Sequence, residues 1–273
     1  MSDRPAAAYP LGRERNAILG TLLALSAACW AIVVWQWSAS GGSDMGLTMG
    51  MAAPLFLALW VAMMVAMMFP TAAPMILMFA RIQKGKVARG QASVPAWIFV
   101  GAYLAVWVVF GVAAYAAAIG AERLADRSMW LMDAAPRIGG SVLIAAGLYQ
   151  LSPLKDVCLS KCRTPMQFVL TSWRDGYAGA WRMGVEHGVY CLGCCWMLFV
   201  ILFPLGIMNV AAMAVITLLI FAEKSSPLSR GAVVLAAAGL VAYGAFILFV
   251  PDALPTAMSG ASMSTTNAGM DGQ

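Results

Sequence analysis

Charge is what this sequence has least of. Only 11% of its 273 residues are Asp, Glu, Lys or Arg, against about 25% in a soluble domain, so a soluble globular fold is excluded. Histidine occurs once. That argues against a zinc site built on imidazole and carboxylate and excludes a bis-histidine haem, leaving His/Met or Cys ligation open. No Walker-type Gly-Lys-Ser/Thr loop is present, so ATP is not hydrolysed through one. No acidic residue falls deep within an apolar run, which weakens the case for proton coupling. The net charge of +5 calls for no nucleic-acid partner, because a bias in the loops accounts for it.

What fills the chain instead is apolar: 62% of its residues are hydrophobic and the mean hydropathy is +0.81. The pattern predicts an all-α polytopic membrane protein. A basic tail (residues 1–15) leads into about seven transmembrane helices, near 16–37, 52–80, 94–121, 138–154, 185–203, 207–222 and 231–250. The first run could pass for a signal peptide, with Ser38-Ala39-Ser40 resembling a cleavage site, but its length and tryptophans favour a retained helix. A basic stretch before the fifth helix reads as a cytoplasmic loop with an interfacial or re-entrant segment at 164–181. Residues 251–273 read as a flexible outer tail. With the N-terminus cytoplasmic and the C-terminus outside, 14 of the 17 Lys and Arg residues fall inside and three (Arg123, Arg127, Arg137) outside, as the positive-inside rule requires.

Three of the six cysteines and the sole histidine share one stretch, Glu186-His187-Gly188-Val189-Tyr190-Cys191-Leu192-Gly193-Cys194-Cys195-Trp196. On a helix turning about 100° per residue, Cys191, Cys194 and Cys195 lie at about +40°, −20° and +80° from His187. Four soft-metal ligands thus line one face, where a thiolate or imidazole in lipid needs a partner. Helix two carries a second sulfur stripe. Taking Met64 as zero, Met67, Met68, Met75 and Met78 fall at about −60°, +40°, +20° and −40°, with Pro70 and Pro74 expected to distort it. Both groups lie close to the middle of a hydrocarbon core about 30 Å thick.

Thiolate with thioether is the ligand set that selects Cu(I); zinc and haem fit less well. His187 and Cys194 stand roughly 10 Å apart along the axis, so the set predicts two positions or a helix-five pair completed from elsewhere. One group is Met64, Met67 and Met68 with Cys191, Cys194 and Cys195. The other is His187 with Cys158 and Cys162, placed in the cytoplasmic loop. Glu186 could orient His187, and Cys29 alone reads as packing. Met45, Met49, Met51, Met258, Met263 and Met270 are candidate outer copper collectors that flexible segments could equally hold for no reason. Cys-x2-Cys is also a redox spacing, so a membrane thiol oxidoreductase stays open, as does a scaffold subunit with incidental thiols.

Several stretches together resemble a bacterial family of predicted metal-binding integral membrane proteins (domain of unknown function 2182). They are Trp60 to Pro70 with Ala73-Pro74-Met75, Gly147 to Lys155 with Cys158 and Cys162-Arg163, His187-Gly188 through Cys194-Cys195-Trp196, and Gly206-Ile207-Met208-Asn209 with Glu223-Lys224. Ala211-Ala212 departs from the bulkier residues usual there. The resemblance implies metal binding through the same cysteines and histidine, in a bacterial inner membrane. The expectation that follows is Cu(I) transport or delivery, with a copper chaperone or a cuproenzyme subunit as partner beside the lipid bilayer.

Overall fold

A computed structural model of the chain describes residues 11–39, 47–48, 50–207, 209–225 and 229–253. Met45, Met49, Met258, Met263 and Met270 lie outside them. Among the described residues the fold is all-α and no strand is present. The helices are α1 (Leu11–Ala39), α2 (Ala53–Ala88), α3 (Ala96–Asp126), α4 (Met129–Gln150), α5 (Pro153–Arg163), α6 (Pro165–Ser172), α7 (Gly176–Val200), α8 (Leu202–Leu205), α9 (Val210–Ser225) and α10 (Ser229–Phe249).

Among the described residues five spans are long and apolar enough to cross a membrane: α1, α2, α3, α7 with α8, and α10. A sixth is made if α4 and α5, bent by 62° at their junction, count as one. Each of the seven apolar segments expected from the sequence is helical, but α9 has only 16 residues, about 24 Å, and is short for a span of its own. α3 begins at Ala96 rather than 94, α4 ends at Gln150 rather than 154, and α9 begins at Val210 rather than 207, but three ends extend well beyond expectation. α2 continues to Ala88, α4 begins at Met129, and α7 begins at Gly176 rather than near residue 185. Apolar content stops at the first charges, whereas a helix keeps its hydrogen bonds beyond them. Lys86 in the last turn of α2 also complements the negative end of the helix dipole. It pairs with Asp175 at the start of α7, and its hydrogen bond, helped by one from Trp173, holds that carboxyl below the usual carboxylate range.

Two further corrections matter for function. Residues 155–163, expected in a loop, form helix α5, capped by Ser152, whose hydroxyl accepts the backbone N–H of Lys155 at 3.2 Å. Glu223 and Lys224, expected in a loop after the sixth segment, occupy the last turn of α9, with Glu223 1% exposed. An acidic residue therefore does lie buried within a helix.

α2 runs through the middle of the molecule, packed by α1, α3 and α9, and its methionines at 63, 64, 67, 68 and 75 are buried. Its two prolines leave it a continuous helix. Pro70 has no N–H to offer the carbonyl of Ala66, and Ser26 of α1 donates to that carbonyl instead, at 2.7 Å. Trp60 rests against Gly111 of α3 and donates its indole N–H to the Trp107 carbonyl at 3.0 Å. α3 approaches α7 over Gly184 and Gly188, four residues apart, where a side chain would strike Phe99, Tyr103 and Val106. That is the small-xxx-small contact by which helices pack in lipid. Gly140 and Gly147 of α4 do the same for α10.

Candidate metal centre

The sulfur groups of α2 and α7 meet. Cys191 Sγ lies 4.0 Å from the thioether sulfur of Met68, and both residues are 0% exposed. On the same helix, Cys194 Sγ stands 3.2 Å from Cys195 Sγ and 3.1 Å from the Cys191 carbonyl oxygen. A third helix contributes: Cys162 of α5 puts its Sγ 4.0 Å from that of Cys194. All six cysteines are free thiols.

α5 reaches this position because α7 has no side chain at Gly193. A Cβ there would stand 2.7 Å from Cys158 Sγ, so Cys158 fills the space over Gly193 and the helix brings Cys162 to Cys194. From α4, the Tyr149 hydroxyl donates to the Gly193 carbonyl at 2.5 Å. From α9, the Lys155–Glu223 ion pair (2.8 Å, both side chains 1% exposed) ties α5 down.

Lys224, next to Glu223 on α9, points its ammonium at Cys191 Sγ from 3.1 Å and at the Thr71 hydroxyl from 3.5 Å. Tyr103 of α3 stands 3.2 Å from the same sulfur through its hydroxyl. Cys191 is thus contacted from α2, α3 and α9 together.

The other expected residues sit apart from this convergence. His187 is buried among the rings of Phe99, Tyr103 and Phe168, with centroids 5.9, 5.6 and 5.6 Å away, and its Nδ1 has no hydrogen-bond partner. Cys162 meets Cys194, on the mid-helix cluster; the neighbours of the imidazole are rings. Met64 and Met67 are fully buried, one turn and one residue before Met68. Glu186 accepts from Ser172 at 2.8 Å. Cys29 is partly buried and packs against the core. Met51, of the outer methionines, packs against the same core, and its carbonyl accepts from Tyr115.

Sequence reasoning missed Lys224, Lys155, Glu223, Tyr103 and Gly193. The signal for the charged residues was there. Glu223-Lys224 follows an apolar run directly, and no Pro interrupts the chain until Pro227.

The donor chemistry suits a soft monovalent ion. With metal–sulfur bonds of about 2.3 Å, two sulfurs 4.0 Å apart subtend about 120° at an ion between them, the angle of a trigonal sulfur site. Both Cys191/Met68 and Cys162/Cys194 have that spacing. Among the described residues, no three His, Cys, Asp or Glu side chains already enclose a metal position. The set here depends on a thioether, and the Lys224 ammonium stands against one of its sulfurs.

Residues 57–247 match a protein family, PpoB2, described as copper chaperone. The chain belongs to this family. The match runs from the first turns of α2 to the last turns of α10, so it includes every sulfur of the cluster, the buried Lys155 and the half-buried Lys224. No curated protein and no solved structure matches the chain. The PpoB2 description speaks of copper, where the resemblance read from the sequence spoke only of metal.

Proposed function

We propose that this chain is a membrane-embedded Cu(I) chaperone of a bacterial inner membrane, which receives the ion and passes it on through sulfur. The observation that carries this reading is the meeting of Met68, Cys191, Cys194, Cys195 and Cys162, from three helices, at one buried place. Thiolate and thioether together favour Cu(I) over harder ions. A thiolate without a partner in that surrounding is costly, and membership of a copper chaperone family agrees with the donor set. Sulfurs within 4 Å of one another, Met68 with Cys191 and Cys194 with both Cys195 and Cys162, let the ion exchange ligands one at a time within each group. Met68 gives it a weak neutral ligand on the α2 side, and Cys162 gives it an exit toward α5. His187, with a free Nδ1 amid aromatic rings, is a second stop on the same face of α7. The recipient is a soluble copper chaperone or an apo-cuproenzyme subunit.

The test is copper loading of the full chain, purified without oxygen and reconstituted in lipid nanodiscs. Wild type is expected to hold about one to two Cu(I) per chain in an all-sulfur first sphere by X-ray absorption. Cys191→Ser/Cys194→Ser is expected to lose the sulfur-bound ion while His187→Ala keeps it. Zinc, or no metal, in the wild type would refute the copper reading. A Cys162–Cys194 disulfide that cycles with a partner, seen by alkylation shift without copper retention, would favour a thiol oxidoreductase.

A further inference from the structure

Lys224 is a cation with no carboxylate of its own. Glu223, its neighbour in sequence, is engaged by Lys155 at 2.8 Å, and that pair is neutral. Among the described residues no Asp or Glu forms an ion pair with Lys224. Its ammonium faces Cys191 Sγ at 3.1 Å and the Thr71 hydroxyl at 3.5 Å. The groups around it from the other helices, Met68 of α2, Tyr103 of α3 and the α7 cysteines, carry no formal charge while their protons stay on. With every proton on, the centre holds one surplus positive charge, which ionised thiols would balance.

That surplus has a consequence for stoichiometry. The thiolate is the metal-binding form of cysteine, so each cysteine that joins the ion gives its proton to solvent. Cu(I) on one thiolate and one thioether is neutral, and it would leave the Lys224 ammonium, which faces the fully buried Cys191 sulfur at 3.1 Å, without an anion. Cu(I) on two thiolates carries one negative charge, and Lys224 cancels it. Charges buried in protein or lipid persist only when paired, so the lysine selects the second complex. We propose that Lys224 is the built-in counter-cation of a bis-cysteinate Cu(I) complex formed by Cys191 with Cys162 or Cys194. It fixes the number of thiolates on the ion at two and leaves Met68 as an auxiliary donor.

This rests on the copper reading above, and a charge-exchange cycle separates the two. Cu(I) affinity is measured by competition with a chromophoric Cu(I) chelator, in anaerobic nanodiscs, on the full chain. Lys224→Met, which strands a negative complex, is expected to weaken binding by at least about tenfold, or about 1.4 kcal/mol. Lys224→Arg, which keeps the charge, is expected to stay close to wild type. Cys191→Met, which strands the lysine, also weakens binding. The double variant Lys224→Met/Cys191→Met removes one charge of each sign and is expected to bind more tightly than either single variant. Thermal unfolding of the metal-free proteins, read in parallel, identifies any loss that comes from misfolding. If Lys224→Met destroys the fold, the same cycle is run with Lys224→Gln, a neutral polar side chain, alone and with Cys191→Met. Wild-type affinity in Lys224→Met, or a double variant no better than Cys191→Met, overturns the inference and leaves the copper reading standing. A wild type that binds no Cu(I) overturns the copper reading itself.

Discussion

At the scale of single residues, the absence of a side chain at Gly193 decides how the centre is assembled. A Cβ at this position would lie 2.7 Å from Cys158 Sγ, whereas one at Gly184 would strike the Phe99 carbonyl of α3. A thiol can rotate away; a backbone carbonyl cannot. Gly184→Ala should therefore cost the larger share of the about 1–3 kcal/mol typical of overpacking, seen as a lower unfolding temperature in detergent or nanodiscs. Gly193→Ala should cost less in stability but displace α5, and Cys158→Ala added to it should restore most of the loss. Equal effects at both glycines, or no recovery in the double variant, would mean that α5 does not lie against α7 here. The clustering of Cys191, Cys194, Cys195 and the buried methionines was legible in the sequence, since spacing alone puts them on single faces. Gly193 was not, because a contact between helices leaves no mark in the period of either.

At the scale of elements, α5 is held by charge inside an otherwise apolar protein. Among the described residues its only ion pair is Lys155 with Glu223 of α9; Lys155 is 0% exposed. Removing one partner of a buried pair strands the other, a cost of about 3–5 kcal/mol, while replacing both by apolar groups is often neutral. Lys155→Met should thus be severely destabilising, and Lys155→Met/Glu223→Leu should regain most of the unfolding temperature. A double variant as unstable as the single one would show that the pair does more than hold α5 and α9 together. Here the sequence reading failed for a physical reason. Charge next to an apolar run was taken as loop facing water, but Lys155 of α5 and Glu223 of α9 turn toward each other, where pairing replaces solvation. Helix α5 itself was hidden because its mean polarity resembles that of a loop, while its buried face carries Lys155, Cys158, Leu159 and Cys162.

At the scale of the whole molecule, composition told the class and most segments, because burying so few charges leaves little alternative to apolar helices. It did not tell how many of them cross. Five spans, or six with the bent α4–α5 pair, replace the expected seven as the segments long enough by themselves, and α9 at 16 residues is the undecided one. The positive-inside argument also changes. Lys155 and Lys224 were counted among the cytoplasmic residues, yet both turn into the protein; without them the sequence count is twelve on the expected inner side against three, so the expected orientation keeps its force. It predicts that a reporter fused at Arg89-Gly90, between α2 and α3, is fluorescent as a cytoplasmic protein, and that one at Arg127-Ser128, between α3 and α4, is active as a periplasmic phosphatase. The turn before α9 and the end of α10 settle the rest. If α9 crosses, fusions after Gly206 and after Phe249 both report outside, because two crossings separate them. If α9 lies within the protein without crossing, those two fusions report opposite sides. Crossing would carry Lys224 and Glu223 to the cytoplasmic half, the same half as the basic α2–α3 loop. A phosphatase-active fusion at Arg89-Gly90 would invert the orientation and move that half to the periplasm.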